Sequence, residues 1–403
     1  MGDYMKKLII LFFVVSLVLT FLYVNNKKKL PDFINKSLSL VEEYCKKNHI
    51  QLEIEKEYSD LLEETKVISQ SILPNTKIES GDILKVVVSL GKNLEKLYKK
   101  YKVNELGNVP IMMYHGIQDI SDNKYTGGNI DIDGYQRTAK AFREDLEFYY
   151  QNGYRMIRLN DYINGSIDVK LGYSPIVITF DDGLSNNIKV IGKDENGEII
   201  IDPNSAVGIL EEYKQKYPDY GVTATFFINN SLFNQSDYNE DILKWLIKHG
   251  YDIGNHTSNH ASLSKTSSIQ TTKEIGSMYQ KLESIIGNNY IPVVALPFGE
   301  PYSKNHDNFQ YILEGNYNNF SYKTEATLRV GWESELSPFH KSFDKTYLKR
   351  IRAYDNNGES FDIEHNFNLL NNNRYISDGN RETVVIPIEN DDQVNTNLKL
   401  ILY

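Results

Sequence analysis

Two short segments carry the residue types that metal-assisted hydrolysis needs. Residues 179–183 read Thr-Phe-Asp-Asp-Gly, which places two adjacent carboxylates directly after an apolar run. Residues 256–260 read His-Thr-Ser-Asn-His, which places two imidazoles four positions apart. One carboxylate and two imidazoles suit Zn²⁺ with an open position for water, and the remaining carboxylate is free to accept a proton. The sequence therefore predicts a metal site formed by Asp182, His256 and His260.

Neither segment is specific when it is considered alone. An Asp-Gly pair after a strand is most often a simple turn, and two histidines at this spacing occur by chance. Thr257 occupies the position that a catalytic Glu takes in the zincin proteases, so that class of protease is excluded. The prediction depends on the two segments occurring together.

The composition excludes several classes of protein. With 40% hydrophobic and 24% charged residues, the 403-residue chain is globular and long enough for two or three domains. A net charge of −10 argues against a nucleic-acid partner, because the phosphate backbone attracts basic surfaces. The single cysteine, Cys45, excludes an intrachain disulfide and any cysteine-rich metal site.

The N-terminal residues, 1–29, predict a membrane anchor. Residues 8–24 are apolar and uncharged, and lysines flank them on both sides. A helix of this length reaches about 25 Å, near the lower limit for a membrane span. Because the apolar run is not followed by a small-residue cleavage site, an uncleaved anchor is favoured over a removed signal peptide.

Residues 109–403 predict an α/β domain that carries the site. Short apolar strands alternate with helical segments, which indicates a parallel sheet or barrel. Active groups gather at the carboxyl ends of the strands in such folds, and residues 179–183 and 256–260 both follow predicted strands. Residues 189–201, with Asn-Gly at the centre, predict an inserted hairpin.

Residues 30–91 predict a small α+β module with the order helix, strand, strand, strand. The stretch VISQSILPNTKIESGDILKVVVSLG resembles the second half of a PASTA module, an extracellular repeat of penicillin-binding proteins and wall-sensing kinases. That resemblance implies affinity for peptidoglycan, and the alternative is a spacer that binds nothing. Residues 92–108 predict a linker helix between this module and the α/β domain.

The sequence of residues 109–300 resembles the polysaccharide deacetylase family, also called the NodB homology family. The motifs TFDDG and GNHTSNHASL occur in the family's order, and GVTATFFI matches the strand between them. Pro297-Phe298-Gly299 resembles the end of a third motif. The resemblance implies an irregular (β/α) barrel that hydrolyses N-acetyl groups on a sugar.

The resemblance also assigns roles to individual residues. It makes Asp181 the catalytic base and Asp182, His256 and His260 the ligands of a divalent metal, Zn²⁺ or alternatively Co²⁺. It makes the backbone N–H of Phe298 the donor that holds the tetrahedral oxyanion.

The chain departs from the family pattern at several positions. Ala295 stands where the family has an Arg that pairs with the catalytic Asp, and we expect Arg350 or Arg352 to replace it. The C-terminal Leu-x-His that supplies the general acid is missing, and His115 is a candidate to line the site. Trp332 is the candidate for the family's Trp-bearing motif.

These features together predict a single-pass, externally facing enzyme of the cell membrane. The expected reaction is metal-dependent deacetylation of an N-acetylated envelope glycan, with peptidoglycan favoured because residues 30–91 would hold the enzyme on it. Two alternatives remain open. One is a wall-binding protein whose barrel is weakly active or inactive, and the other is an enzyme that acts on an exopolysaccharide.

Overall fold

A computed structural model describes two compact units, Met1–Leu97 and Tyr98–Tyr403. The described residues are 8–9, 12, 14–16, 28–120, 135–331, 333–354 and 362–403. Most of the predicted anchor, 8–24, lies outside these ranges. Within them, no helix combines the length and the apolar composition that crossing a bilayer requires. The anchor therefore stays a prediction.

The first unit is a three-stranded sheet with one helix. Its elements are α1 (Leu38–Asn48), β1 (Gln51–Glu57), β2 (Val67–Gln70) and β3 (Ile83–Ser89). β3 lies in the middle, parallel to β1 and antiparallel to β2. Val41 and Cys45 of α1 share one apolar cluster with Leu84, Val86 and Val88 of β3. The predicted order of helix and strands is confirmed.

The edge strand β1 is more exposed than the sequence pattern predicts. Alternation in this strand predicts a buried face at Leu52 and Ile54, yet Leu52 is half-buried and Ile54 is 40% exposed. Most side chains on both faces of the strand are exposed. The strand lies at the sheet edge, where its glutamates oppose pairing with another chain. Glu53 instead forms an ion pair with Lys85 of β3, with 2.7 Å between Oε2 and Nζ.

The second unit is built on a sheet of parallel strands. Its elements before residue 202 are α2 (Leu94–Tyr101), which begins in the first unit, β4 (Ile111–Tyr114), β5 (Gly116–Gln118), β6 (Gln136–Thr138), α3 (Ala139–Gln151), β7 (Tyr154–Met156), α4 (Leu159–Ile163), β8 (Ser174–Phe180), β9 (Val190–Lys193) and β10 (Ile199–Ile201). Those that follow are α5 (Ala206–Lys216), β11 (Thr225–Ile228), α6 (Asn239–Lys248), β12 (Asp252–Asn255), α7 (Ser268–Ile286), β13 (Val293–Ala295), α8 (Phe309–Leu313), β14 (Glu314–Tyr317), β15 (Phe320–Lys323), β16 (Ala326–Leu328), β17 (Ile351–Arg352), α9 (Ile363–Leu370), β18 (Thr383–Ile386) and β19 (Lys399–Leu402).

The main sheet has the order β16-β13-β12-β11-β8-β4-β17, with β7 also paired to β8. All of its pairs are parallel. β9 and β10 form the predicted antiparallel hairpin outside this sheet.

Alternation along the strands divides their side chains between two cores. Met112, Ile178 and Phe226 pack in a cluster with residues of α3, α5 and α6. The residues that precede or follow them, such as Val177 and Phe227, belong to a second cluster on the opposite face. Because both faces are covered, the strands are almost continuously apolar, as expected for a parallel sheet.

A short segment, residues 348–352, connects the two edges of the sheet. Leu348 donates its N–H to the carbonyl of Thr327 at 2.8 Å and accepts from the N–H of Arg329 at 2.9 Å. These bonds join the segment to the end of β16. Three residues after Leu348, β17 begins and pairs with β4 at the other edge. The strands therefore close into an irregular barrel through this segment.

The second unit includes part of the stretch predicted as a linker. The division between the units falls at residue 97, and Val103 and Leu106 are buried. Glu105 is buried as well, and its carboxylate accepts from the N–H of Val385 at 2.7 Å and the hydroxyl of Tyr375 at 2.9 Å. Burial raises the pKa of Glu105 to about 8, with a smaller contribution from the nearby negative charge of Asp378.

Candidate metal and catalytic site

Asp181 and Asp182 lie directly after β8, at the carboxyl end of the sheet. Every residue of β8 is buried, and the N–H of Asp181 donates to the carbonyl of Tyr114 at 2.9 Å. Alternation from Val177 through Thr179 directs Asp181 to the inner face of the barrel. Asp182 has a φ of 72°, so the chain turns here and the two carboxylates have different partners.

His256 and His260 follow the neighbouring strand β12. The N–H of His256 donates to the carbonyl of Ile228 at 2.9 Å, and its Nδ1 lies 2.9 Å from the carbonyl oxygen of Ala295. The Nε2 atoms of His256 and His260 lie 3.1 and 3.2 Å from Oδ1 of Asp182. The three ligand atoms fall within 4.8 Å of one another. The structure thus brings the three predicted ligands together.

The hydrogen bonding of His256 favours a cation at this position. A carbonyl oxygen can only accept, so we assign the proton of the ring to Nδ1, which leaves a lone pair on Nε2. That lone pair faces a carboxylate oxygen of Asp182, which is also an acceptor. Burial lowers the pKa of His256, but the hydrogen bond to Asp182 and the charges of Asp181 and Asp182 outweigh it and raise the pKa. Two acceptors this close need a proton or a cation between them, and one oxygen with two imidazole nitrogens fits Zn²⁺ or Co²⁺.

Arg350 lies against the other carboxylate, Asp181. Its Nη1 and Nη2 donate to Oδ1 and Oδ2 of Asp181 at 2.7 and 2.6 Å, which is a two-point contact. Nη1 also donates to the hydroxyl of Thr179 at 3.1 Å, and Nε donates to the carbonyl of Arg329 at 3.2 Å. Arg350 is completely buried, and Asp181 is 1% exposed.

This contact sets the charge of Asp181. Burial alone raises the pKa of the carboxyl, but the charge and hydrogen bonds of Arg350, together with the nearby imidazole of His256, outweigh it and hold the pKa below its usual range. Asp181 is therefore ionised at neutral pH and held in one orientation, which are the requirements for a general base.

Arg350, rather than Arg352, is the arginine found against Asp181. It comes from the segment that closes the barrel, whereas Ala295 is buried on β13 and offers its carbonyl oxygen to His256. Arg352 places its guanidinium over the ring of Tyr135, 4.9 Å from the centroid.

His115 lies beside Asp181 and is buried. Its Nε2 is 4.0 Å from Oδ2 of Asp181, and its ring meets that of Tyr135 edge-on with centroids 4.6 Å apart. Burial lowers the pKa of His115 to about 4, so the ring is neutral at pH 7. The structure therefore places this candidate at the site. Tyr135 was not identified from the sequence, because no motif surrounds it.

Phe298 lies on a turn after β13, beside the metal ligands. The residue is 55% exposed, and its ring meets the ring of His260 at a centroid distance of 4.7 Å. The φ of Phe298 is 59°, and the two hydrogen bonds of this turn use the N–H groups of Gly299 and Glu300. Neither bond uses the Phe298 N–H that was predicted to hold the oxyanion. Trp332 lies outside the described residues.

Comparison with known proteins agrees with this geometry. Residues 204–314, which include His256, His260 and Phe298, match the family model for polysaccharide deacetylase. Residues 28–90 match the PASTA domain. The resemblance to both families is thereby confirmed, and the deacetylase match agrees with the predicted enzyme class, a polysaccharide N-deacetylase. No curated protein sequence matches the chain.

Three solved deacetylase structures are similar to parts of the chain. The Streptococcus pyogenes deacetylase PplD in complex with acetate is 18% identical, with 65% of this chain and 98% of that chain covered and a TM-score of 0.46. BC0361, a polysaccharide deacetylase from Bacillus cereus, is 18% identical over 66% of this chain and 69% of its own, with a TM-score of 0.45. The peptidoglycan deacetylase PdaC from Bacillus subtilis is 26% identical over 31% and 50%, with a TM-score of 0.23.

Proposed function

We propose that the chain is a metal-dependent N-deacetylase of a cell-envelope polysaccharide, with peptidoglycan as its substrate. The observation that carries the proposal is that two adjacent residues, Asp181 and Asp182, are placed for two different functions. Asp181 is ionised and oriented by Arg350, and Asp182 converges with His256 and His260 on one point. A base next to a set of metal ligands suits the hydrolysis of an amide.

The residues of the site divide the chemistry among them. A Zn²⁺ or Co²⁺ ion held by Asp182, His256 and His260 would supply Lewis acidity toward the acetamide carbonyl and lower the pKa of water. Asp181 takes the proton of the attacking water, and the N–H of Phe298 donates to the developing oxyanion. His115 lines the site beside the base. The sugar nitrogen takes a proton as its bond to the acetyl carbon breaks, and the products are acetate and a free amine on the sugar.

Acetate release from purified peptidoglycan tests the proposal directly. The full chain should release acetate, a chelator should stop the release, and Zn²⁺ or Co²⁺ should restore it. Release that continues in chelator would contradict metal dependence. Release from an exopolysaccharide but not from peptidoglycan would show that the substrate is an exopolysaccharide. No release from either glycan, with metal bound, would favour a wall-binding protein.

We further propose that residues 28–90 bind the wall, and that residues 8–24 anchor the chain with its catalytic domain outside the cell. The PASTA match and the apolar N-terminal run support this arrangement.

Deleting residues 30–91 should separate wall binding from chemistry. Among the described residues, the metal-ligand cluster and the base all lie in the second unit. We therefore expect an unchanged rate on a soluble chito-oligomer and weaker pelleting with insoluble wall material. Both are measured with the full chain and the deletion variant in parallel. Equal pelleting of the two would reduce the PASTA domain to a spacer.

A further inference from the structure

A buried carboxylate that takes no part in the proposed chemistry lies behind the metal ligands. Glu274 is on α7 and is 1% exposed. Within the described parts of the chain, no Lys or Arg lies within ion-pair distance of it. A buried carboxylate is costly unless it is hydrogen-bonded, so its partners indicate what it does.

Two of its three hydrogen bonds go to one residue of the ligand loop. Oε2 of Glu274 accepts from the backbone N–H of Asn259 at 2.8 Å, and Oε1 accepts from the Asn259 side chain at 2.9 Å. The third comes from the side chain of Gln270, one turn earlier on α7, at 2.8 Å. The carboxylate thus accepts hydrogen bonds from both the backbone and the side chain of Asn259.

Asn259 lies between the two histidine ligands, in a loop that needs support. Thr257 and His260 have φ values of 61° and 53°, in the left-handed region. This region is unfavourable for most residues and especially for β-branched Thr. Such strain persists only where surrounding contacts hold the backbone in place. Glu274 supplies two of those contacts in the middle of the loop.

The backbone of α7 supports the same loop independently of the Glu274 carboxylate. Ser258 donates its N–H and its hydroxyl to the carbonyl of Glu274 at 3.0 and 3.1 Å. Those bonds survive any change of side chain at position 274. Loss of the carboxylate should therefore loosen the loop without releasing it.

We propose that Glu274 is a positioning residue that fixes the spacing and direction of the His256 and His260 side chains toward the metal. The proposal rests on the metal site of the proposed function. Removing a direct hydrogen-bond partner of a metal ligand typically changes metal affinity by about 10- to 100-fold, and Glu274 acts through Asn259, so we expect the lower end of that range.

Glu274→Gln tests this with almost no change of shape. Its amide has one oxygen, so one of the donors now facing the carboxylate meets an NH₂ group instead. We expect Zn²⁺ affinity of the full chain, measured by competition with a coloured chelator, to fall about 10-fold. We also expect the visible absorption spectrum of the Co²⁺-loaded chain to change, because that spectrum reports ligand geometry.

Gln270→Ala is the matched control. It removes a side chain that donates to the same carboxylate but does not belong to the ligand loop. Its Zn²⁺ affinity should stay within about twofold of wild type. Asn259→Ala removes the side-chain bond and keeps the backbone bond, so we expect an intermediate loss. It also serves as the test if Glu274→Gln does not fold.

The outcomes test the positioning role of Glu274 separately from the proposed function. Wild-type affinity and an unchanged Co²⁺ spectrum in both Glu274→Gln and Asn259→Ala would overturn the positioning role and leave the proposed function intact. Equal losses in Gln270→Ala and Glu274→Gln would also overturn it, because the effect would then be general to α7. A wild-type chain that binds neither Zn²⁺ nor Co²⁺ would overturn the proposed function, and the role of Glu274 with it.

Discussion

His256→Ala and His260→Ala should each remove bound metal and abolish deacetylation. Each substitution deletes one of three ligand atoms that lie within 4.8 Å of one another, and two remaining protein ligands hold Zn²⁺ poorly. Metal content of the purified chain and acetate release from peptidoglycan are the two measurements.

Asp181→Asn is the matched variant, because it changes the neighbouring carboxylate and leaves all three ligands. It should retain the metal and lose about 10²- to 10⁴-fold in rate, the usual contribution of a general base. Metal content that is unchanged in both histidine variants would contradict the ligand assignment. A rate near wild type in Asp181→Asn would contradict the assignment of the base.

Replacing Arg350 should impair the base and leave the metal in place. Arg350→Lys retains a positive charge but loses the two-point contact with Asp181, so we expect turnover to fall by about 10²-fold. Arg350→Ala leaves Asp181 buried without its partner, and breaking such a pair costs about 3–5 kcal/mol of folding free energy. Denaturant unfolding of both variants measures this cost alongside the rate.

The pH dependence of turnover shows whether Arg350 keeps Asp181 ionised or only stabilises the fold. Arg350 helps to hold the pKa of Asp181 below its usual range, so the pKa should rise when Arg350 is replaced. The acid limb of the pH–rate profile should therefore move to higher pH in Arg350→Lys, and further in Arg350→Ala. In wild type the pair stabilises the fold above the unfolded pKa of Asp, and that stability is lost as the pH falls through the lowered pKa of the folded state.

Arg352→Ala is the control for removing a cation two positions further along the same segment. Its guanidinium lies over the ring of Tyr135, and we expect it to retain the wild-type acid limb. A wild-type pH profile in Arg350→Lys and Arg350→Ala would show that Asp181 does not depend on this arginine for its charge.

The ligand residues could be predicted because each lies in a short motif directly after a predicted strand. Each motif follows a strand, and parallel strands bring their carboxyl ends to the same edge, so Asp182 meets His256 and His260 without knowledge of the loops. The partner of Asp181 was harder to predict. Arg350 is 169 residues away along the chain, and alternation gave only its face, which it shares with Arg352.

Other features depend on tertiary contacts that leave no pattern in the sequence. Glu274 reads as an ordinary helix residue, and its role becomes visible only when α7 packs behind the ligand loop. The exposure of β1 depends on what packs against its two faces, although its alternation is typical of a half-buried strand. The inclusion of residues 98–108 in the second unit depends on contacts such as that between Glu105 and Val385, 280 residues later.

The segment that joins β16 to β4, residues 348–352, also carries Arg350, the counter-ion of Asp181. If the barrel opens at this seam, Asp181 loses its counter-ion in the same movement. The joint is short, but Leu348, Arg350 and Ile351 are fully buried, so it should open only when the surrounding core opens. Turnover in denaturant should therefore decline together with the bulk spectroscopic signals, so that loss of the rate reports opening of the barrel.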